Sequence, residues 1–391
     1  MRHPQYTVTA QQVQLHTARL CQKHLQLADH GPKCTFSMLM RILCYAATRI
    51  ISLRAACAAL VKAPSDQAVR DALFAQLPDV LELQRRLNRA LAGDLPKALR
   101  RHRQAFAIDL VLIPYHGQPA IDPVEIYRSQ PKKGTSHFHA YATACVVRNG
   151  QRFTLALTYV LQGEAMADVV QRLLQQARKT GVQPRYLLLD RGFFSVDVIR
   201  YLQASRTPFL MPVVCRGRKL DHPKGPSGTR VFLTWKQSGW GAYTLTNAQQ
   251  RTATVRIAVQ CRNYRGQWDR HGRQRLVYAF WGMQPPSVTW VRDTYRLRFG
   301  IESSYRQLHE ARIRTTTRNP ELRLLFVGLA LILRNVWVWL HWMILSHPRR
   351  GGRRIDLDQL PFRAMLSWLC HLCETLLGFK DTLGSEHPLL T

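Results

Sequence analysis

At 391 residues and 46% hydrophobic content, the chain is long and apolar enough for a large core in roughly two or three structural units, which excludes a disordered polymer. Its 56 Lys and Arg against 24 Asp and Glu leave a net charge of +32. Such a surplus opposes compaction unless a polyanion shares the surface; nucleic acid is the usual one and membrane lipid the competitor.

Residues 1–100 read as an α-helical domain. Leu15–Leu27, Ser37–Val61, Asp66–Leu77 and Leu81–Leu91 are rich in leucine and alanine and are broken by Gly31-Pro32, Pro64 and Pro78. Ser65 before Asp66 is a helix start. Short helices with basic exposed positions suit a helix-turn-helix-like DNA-binding unit, and a plain helical bundle accounts for the same pattern.

From Arg101 the texture changes to strands. Phe106–Ile113 is an apolar run interrupted by one acid, Asp109, which is costly in a buried strand unless paired, protonated or metal-bound. His137–Arg148 and Arg152–Leu161 follow as strands joined at Asn149-Gly150, a strong hairpin signal. Glu164–Thr180 has helical spacing and closes at Gly181. Tyr186–Asp190 is a strand ending in a second acid, followed by Arg191-Gly192, a helix over Val196–Ala204 and a strand over Phe209–Val214. Strand, strand, strand, helix, strand, helix, strand is the order of a ribonuclease-H-like α/β core. In that fold the first and fourth strands lie side by side, so Asp109 and Asp190 would meet. Two carboxylates brought together repel and force one to take a proton, a conflict that a divalent ion removes. Oxygen ligands suit magnesium or manganese. For Asp190 alone, a turn after a strand is an alternative reading; both acids at these two places in this strand order are harder to dismiss.

Residues 215–290 interrupt the core. Arg230–Trp235, Gly241–Leu245, Thr252–Cys261 and Gln274–Trp281 alternate like strands and carry many Arg, Lys, Trp and Tyr. They suit either backbone neutralisation and base stacking on nucleic acid or a solvated β-subdomain with a basic rim. Asp293–Arg314 then predicts a helix. At about 100° per residue, Tyr295, Arg298, Glu302, Arg306 and His309 share a sector roughly 80° wide, and Leu297, Ile301, Tyr305 and Leu308 form an apolar seam beside it. Taken alone, this is an amphipathic helix with Glu302 in an ion-pair ladder to Arg298 and Arg306.

Taken together, these residues resemble the DDE transposases of bacterial insertion sequences. The likeness is greatest to the insertion-sequence-four-like branch, marked by Y-(2)-R-(3)-E-(6)-K, whose ribonuclease-H-like core carries a β-strand insertion before its last acid. Tyr295, Arg298 and Glu302 match the signature, and Asp109 and Asp190 stand as the first and second acids, the three acids being spaced 81 and 112 positions apart in order. The resemblance covers roughly Phe106 to Leu345. It implies metal-dependent cleavage and transfer of DNA strands, with Asp109, Asp190 and Glu302 as catalytic metal ligands. Asp109 would bridge two Mg²⁺ ions, or two Mn²⁺ ions in their place. Tyr295, Arg298, Arg306, His309, Lys132 and Lys133 would hold DNA. The resemblance also implies double-stranded DNA, as element ends and target, for partner and a homodimer assembled on it. One departure stands out: the signature's lysine is His309 here, and a neutral imidazole holds an anion less well than an ammonium group. The rival readings are a metal-dependent nuclease without strand transfer and a DNA-binding regulator with a degenerate core.

The core would be divided into residues 101–214 and 291–346 around the 215–290 insertion. Leu324–Leu345 is long and apolar enough for a membrane span, but Arg334, Asn335 and His341 are expensive in lipid and favour a buried helix, so no membrane partner is expected. Residues 347–391 read as a flexible basic linker, Arg349–Arg354, and an amphipathic helix over Leu357–Leu377 that would either pair with another subunit or cap the core. Nine scattered cysteines, with no secretory apolar stretch at the start, predict reduced thiols in the bacterial cytoplasm. Cys370 and Cys373 form the lone CxxC, and without a second pair zinc is not expected.

Overall fold

A computed structural model describes residues 7–119, 122–148, 152–265, 271–299, 306–350 and 352–382. The chain divides into two compact units, one of residues 97–115 and 126–303, the other of residues 1–96, 116–125 and 304–391.

The first unit is built on a nine-stranded mixed sheet. Strand β1 (Gln104–Pro114) lies inside it because its apolar residues on both faces need cover. It pairs antiparallel with β3 (Thr135–Val146) and parallel with β5 (Pro184–Leu189). On its other edge β3 carries β2 (Tyr127–Lys132) and β4 (Thr154–Val160). A crossover through helix α7 (Met166–Lys179) brings β5 beside β1, and α8 (Val196–Ala204) leads to β6 (Phe209–Pro212), parallel to β5. The expected neighbourhood of first and fourth core strands is therefore present. Val169, Val170, Leu173, Leu174 and Ala177 of α7 are buried, giving the sheet its helical cover.

Three further strands continue the same sheet. β9 (His271–Trp281) pairs antiparallel with β6, β8 (Thr252–Arg265) with β9, and β7 (Gly239–Thr246) with β8. The 215–290 segment therefore extends the central sheet and is not a free-standing subdomain. One of its expected strands is corrected: Arg230–Trp235 lies largely in a 3-10 segment, Gly228–Thr234, where Phe232 turns inward against Trp235 and Tyr243. The Asn149-Gly150 turn lies outside the described residues, and β2 was not anticipated because its residues are mostly exposed and polar.

The predicted helix over Asp293–Arg314 is also corrected. Helix α9 starts earlier, at Val288 after the Ser287 cap, ends at Arg296 and tightens into a 3-10 turn at Leu297–Phe299. Residues 306–310 are helical, whereas 311–319 are irregular. Tyr295 and Arg298, assigned to the polar face, are only 3% and 6% exposed, while Leu297, assigned to the seam, is 41% exposed. Leu308 is buried as expected, and Ile301, Glu302 and Tyr305 lie outside the described residues.

The second unit is helical. Helices α4 (Asp66–Gln76) and α5 (Val80–Ala92) match the sequence reading to within one residue, while α1 (Ala10–Leu25) starts five residues before the expected Leu15, at the Thr9 cap. Ser37–Val61 is two helices, α2 (Phe36–Arg49) and α3 (Leu53–Ala59), because Ile50 turns left-handed at φ 56° and Ser52 caps the next start. Leu83, Leu87 and Leu91 give α5 one buried face, which meets the long helix Pro320–Leu340. The most apolar 18-residue window of the stretch from that helix to Leu345 is 94% buried inside the protein. Arg334 Nε donates to Gln307 Oε1 at 3.1 Å and Asn335 Nδ2 to the Leu91 carbonyl at 3.2 Å, so these polar groups have protein partners. The basic linker is corrected to a small hairpin, His347–Arg349 with Gly352–Arg354, before the helix Phe362–Leu377.

Candidate active site

The parallel register places Ile108 opposite Leu189, so Asp109 and Asp190 each follow one member of the same pair. Asp190 leaves β5 at the strand's carboxyl end, the edge at which open α/β sheets bind ligands. The two acids converge on one cation. Arg298 Nη1 lies 2.9 Å from Asp109 Oδ2, and Arg298 Nη2 lies 3.3 Å from Asp190 Oδ1. Asp109 Oδ1 also accepts from the Leu110 amide at 2.8 Å.

Arg298 is thus a planar fork with one carboxylate on each terminal nitrogen, a geometry that the point charge of lysine cannot reproduce. Its guanidinium carbon sits 5.4 Å from the Tyr295 ring, and that ring lies 5.2 Å from Tyr278. Burial works against the charge on Arg298, but Tyr295, Asp109 and Asp190 outweigh it and raise its pKa. Burial pushes the Tyr295 phenol well above its ordinary value, against the opposing pull of Arg298. The 3-10 turn after α9 matters here, since it is the backbone that turns Arg298 inward. Arg298 thereby makes a long-range bridge to two strands; its expected pairing with Glu302 lies outside the described residues.

A cavity of about 420 Å³ opens beside the bridge, lined in part by Asp190, Arg191, Arg275, Tyr278, Tyr295 and Arg298. Three arginines against one carboxylate make it attractive to an anion such as a backbone phosphate. Arg275 and Tyr278 were missed by sequence reasoning. Both lie on β9 in the inserted segment, and only its pairing with β6 brings them to the acids. Arg191 carried the one usable signal, its position directly after Asp190.

Among the described residues, none of the remaining expected ones lines that cavity. Lys132 ends β2 and Lys133 stands in a two-residue turn with Gly134, both with positive φ; the two lysines are exposed. Arg306 and His309 are exposed on residues 306–310, which belong to the helical unit. Among the described residues no group of three or more His, Cys, Asp or Glu side chains makes a metal site. The donor chemistry nonetheless fits a hard cation as far as it goes. Two carboxylates already share one positive group, and Glu302, the third of the expected set, lies outside the described residues.

A family model described as "Transposase DDE domain" matches residues 100–336, more than half of the chain. Among solved structures, the chain is similar to that of a piggyBac transposase in a synaptic complex with hairpin DNA, determined by cryo-electron microscopy. That likeness has 11% identity and a TM-score of 0.45, over 100% of this chain and 81% of the other. No curated protein matches the sequence.

Proposed function

The chain belongs to the transposase DDE-domain family, and on that premise we propose that it cleaves DNA at the ends of an insertion sequence and transfers the freed strands to a target, as an enzyme of the insertion-sequence-four-like branch. The observation that carries this reading is the convergence of Asp109 and Asp190, from neighbouring parallel strands, on one buried guanidinium beside a basic cavity. The order β4-β3-β1-β5-β6 supports a ribonuclease-H-like core, with β7, β8 and β9 as the insertion ahead of the third acid. Asp109, Asp190 and Glu302 are the groups that would hold two divalent ions, magnesium or in its place manganese. Bound there, such ions activate a water or 3′-hydroxyl and stabilise the leaving oxygen of the phosphodiester.

The chain's own residues have separate work. Arg298 offsets the repulsion between Asp109 and Asp190 and holds the two convergent. Tyr295 lies against the guanidinium and restricts the orientations open to it, and Tyr278 packs against the Tyr295 ring. Arg191 and Arg275 would receive the phosphate whose bond is cut, their forks matching its oxygens. Lys132, Lys133, Arg306 and His309 would hold more distant backbone, on a homodimer assembled on paired ends.

The test is incubation with a plasmid carrying the chromosomal sequences that flank this coding region, with Mg²⁺ or Mn²⁺, followed by sequencing of the 3′ ends. Cleavage at two inverted ends, with joined products, is expected, and Asp109→Asn and Asp190→Asn should each abolish it while DNA binding persists. Cutting without joining would replace this reading with a nuclease, and DNA binding without cutting would replace it with a regulator.

A further inference from the structure

The helical unit has a second basic cavity. Helix α3 begins at the Ser52 cap and α4 at the Ser65 cap, and the irregular residues 311–319 run beside them. The Arg314 amide donates to the Ile51 carbonyl at 3.2 Å, tying that segment to the turn between α2 and α3. Two more bonds stiffen it: the Thr317 amide donates to Thr315 Oγ1 at 3.1 Å, and Arg323 Nε donates to the Thr317 carbonyl at 2.5 Å. The resulting cleft measures about 460 Å³ and carries Arg54, Arg70, Arg314 and the hydroxyls of Thr315, Thr316 and Thr317 in its wall.

Its charge is one-sided. No Asp or Glu lines the cleft. Arg70 is partly neutralised by Asp66 one turn back, at 2.7 Å, but no ion pair joins Arg54 or Arg314 to any described residue, and both are exposed. Like charges gathered without a counter-charge cost energy, so the cleft is complementary to an anion. Its floor is apolar, with Leu53, Leu322 and Phe326 buried and Phe74 44% exposed. A phosphate between arginines, with hydroxyl donors beside it and a deoxyribose on the apolar floor, satisfies both parts at once. We propose that this cleft binds the phosphodiester backbone of duplex DNA, as a contact separate from the carboxylate site. The inference rests on DNA being the partner proposed above, and it adds where the helical unit grips it.

Two measurements test it on the full-length chain. The first is phenylglyoxal modification read by mass spectrometry, with and without a stoichiometric 30-base-pair duplex of arbitrary sequence. Arg54 and Arg314 should be protected several-fold more than Arg19, which is exposed on α1 outside this cleft. The second is fluorescence anisotropy of that duplex across a salt series. Losing two phosphate contacts in the Arg54→Ala, Arg314→Ala double variant should lower the salt slope by about 1.8, at about 0.9 per contact. The affinity at 0.1 M salt should fall between about tenfold and a hundredfold. Unchanged slope with unprotected Arg54 and Arg314 overturns the cleft assignment while leaving DNA as the partner. A flat salt response in the parent protein overturns the DNA reading itself. Equal protection by poly-glutamate at matched charge concentration would assign the cleft to an acidic polypeptide and overturn the proposal.

Discussion

Arg298 holds two carboxylates at once, so its removal acts on both. The Asp109 side chain is 13% exposed and would lose the cation that balances its charge, whereas Asp190, at 43%, can turn to water. Breaking a buried pair from one side costs about 3–5 kcal/mol, and the exposed half deserves little of that. Arg298→Ala should therefore destabilise by about 3 kcal/mol and Arg298→Lys by less, since an ammonium reaches one carboxylate but not both. Urea unfolding should rank parent, lysine variant, alanine variant; an alanine variant as stable as the parent would show the bridge to be incidental. Tyr295 supplies a pH test. Burial raises its pKa, so in the folded protein it stays neutral where an unfolded tyrosine ionises, near pH 10. Its contribution is thus complete below about pH 10 and is lost as pH climbs toward the raised folded value. Tyr295→Phe should flatten that alkaline loss, measured as melting temperature between pH 8 and 11; an unchanged profile would mean that other tyrosines set it.

At the scale of elements, the sequence exposed what local chemistry decides and hid what pairing decides. An acid inside FAIDLVLI and another ending YLLLD were legible because carboxylates in apolar strands demand a partner. What spacing did not show is that Arg298, in the 3-10 turn after α9, reaches back to two strands. Arg275 was invisible for the same reason, since strand pairing, not spacing, sets its position. Helix contacts follow the same division. Gly328 sits mid-helix where glycine costs about 1 kcal/mol against alanine, so propensity favours replacement. Geometry opposes it, because a Cβ there would fall 2.4 Å from Leu87 Cδ2, and Leu87 is fully buried. Overpacking costs about 1–3 kcal/mol, so Gly328→Ala should be destabilising by up to about 2 kcal/mol. Pairing it with Leu87→Ala should cost less than the sum of the single changes, a coupling that a double-mutant cycle reads directly. Strict additivity would show that the two helices do not approach this closely.

Over the whole molecule the deciding quantity is the charge of +32. Salt has two opposed effects on such a chain. It weakens ion pairs, most of which are partly exposed here and worth about 0–1 kcal/mol each, and it screens the repulsion among unpaired arginines and lysines. With 56 basic residues and 24 acidic ones, repulsion should dominate, so the melting temperature of the free protein should rise between 50 and 500 mM NaCl. Duplex DNA acts in the opposite sense. As a ligand of the folded state it stabilises by about 2.7 kcal/mol at a hundred times its Kd, or several degrees for a unit of this size. Each phosphate contact weakens binding by about 0.9 log units per tenfold rise in salt, so that increment should shrink as salt increases. The two melting curves, free and DNA-bound, should therefore start far apart at 50 mM and converge by 500 mM, the free one rising to meet the bound one. Differential scanning fluorimetry across the series reads both. A free-protein curve that falls with salt would mean that ion pairs, not net repulsion, govern stability. Parallel curves would mean that DNA is held by contacts other than its phosphates.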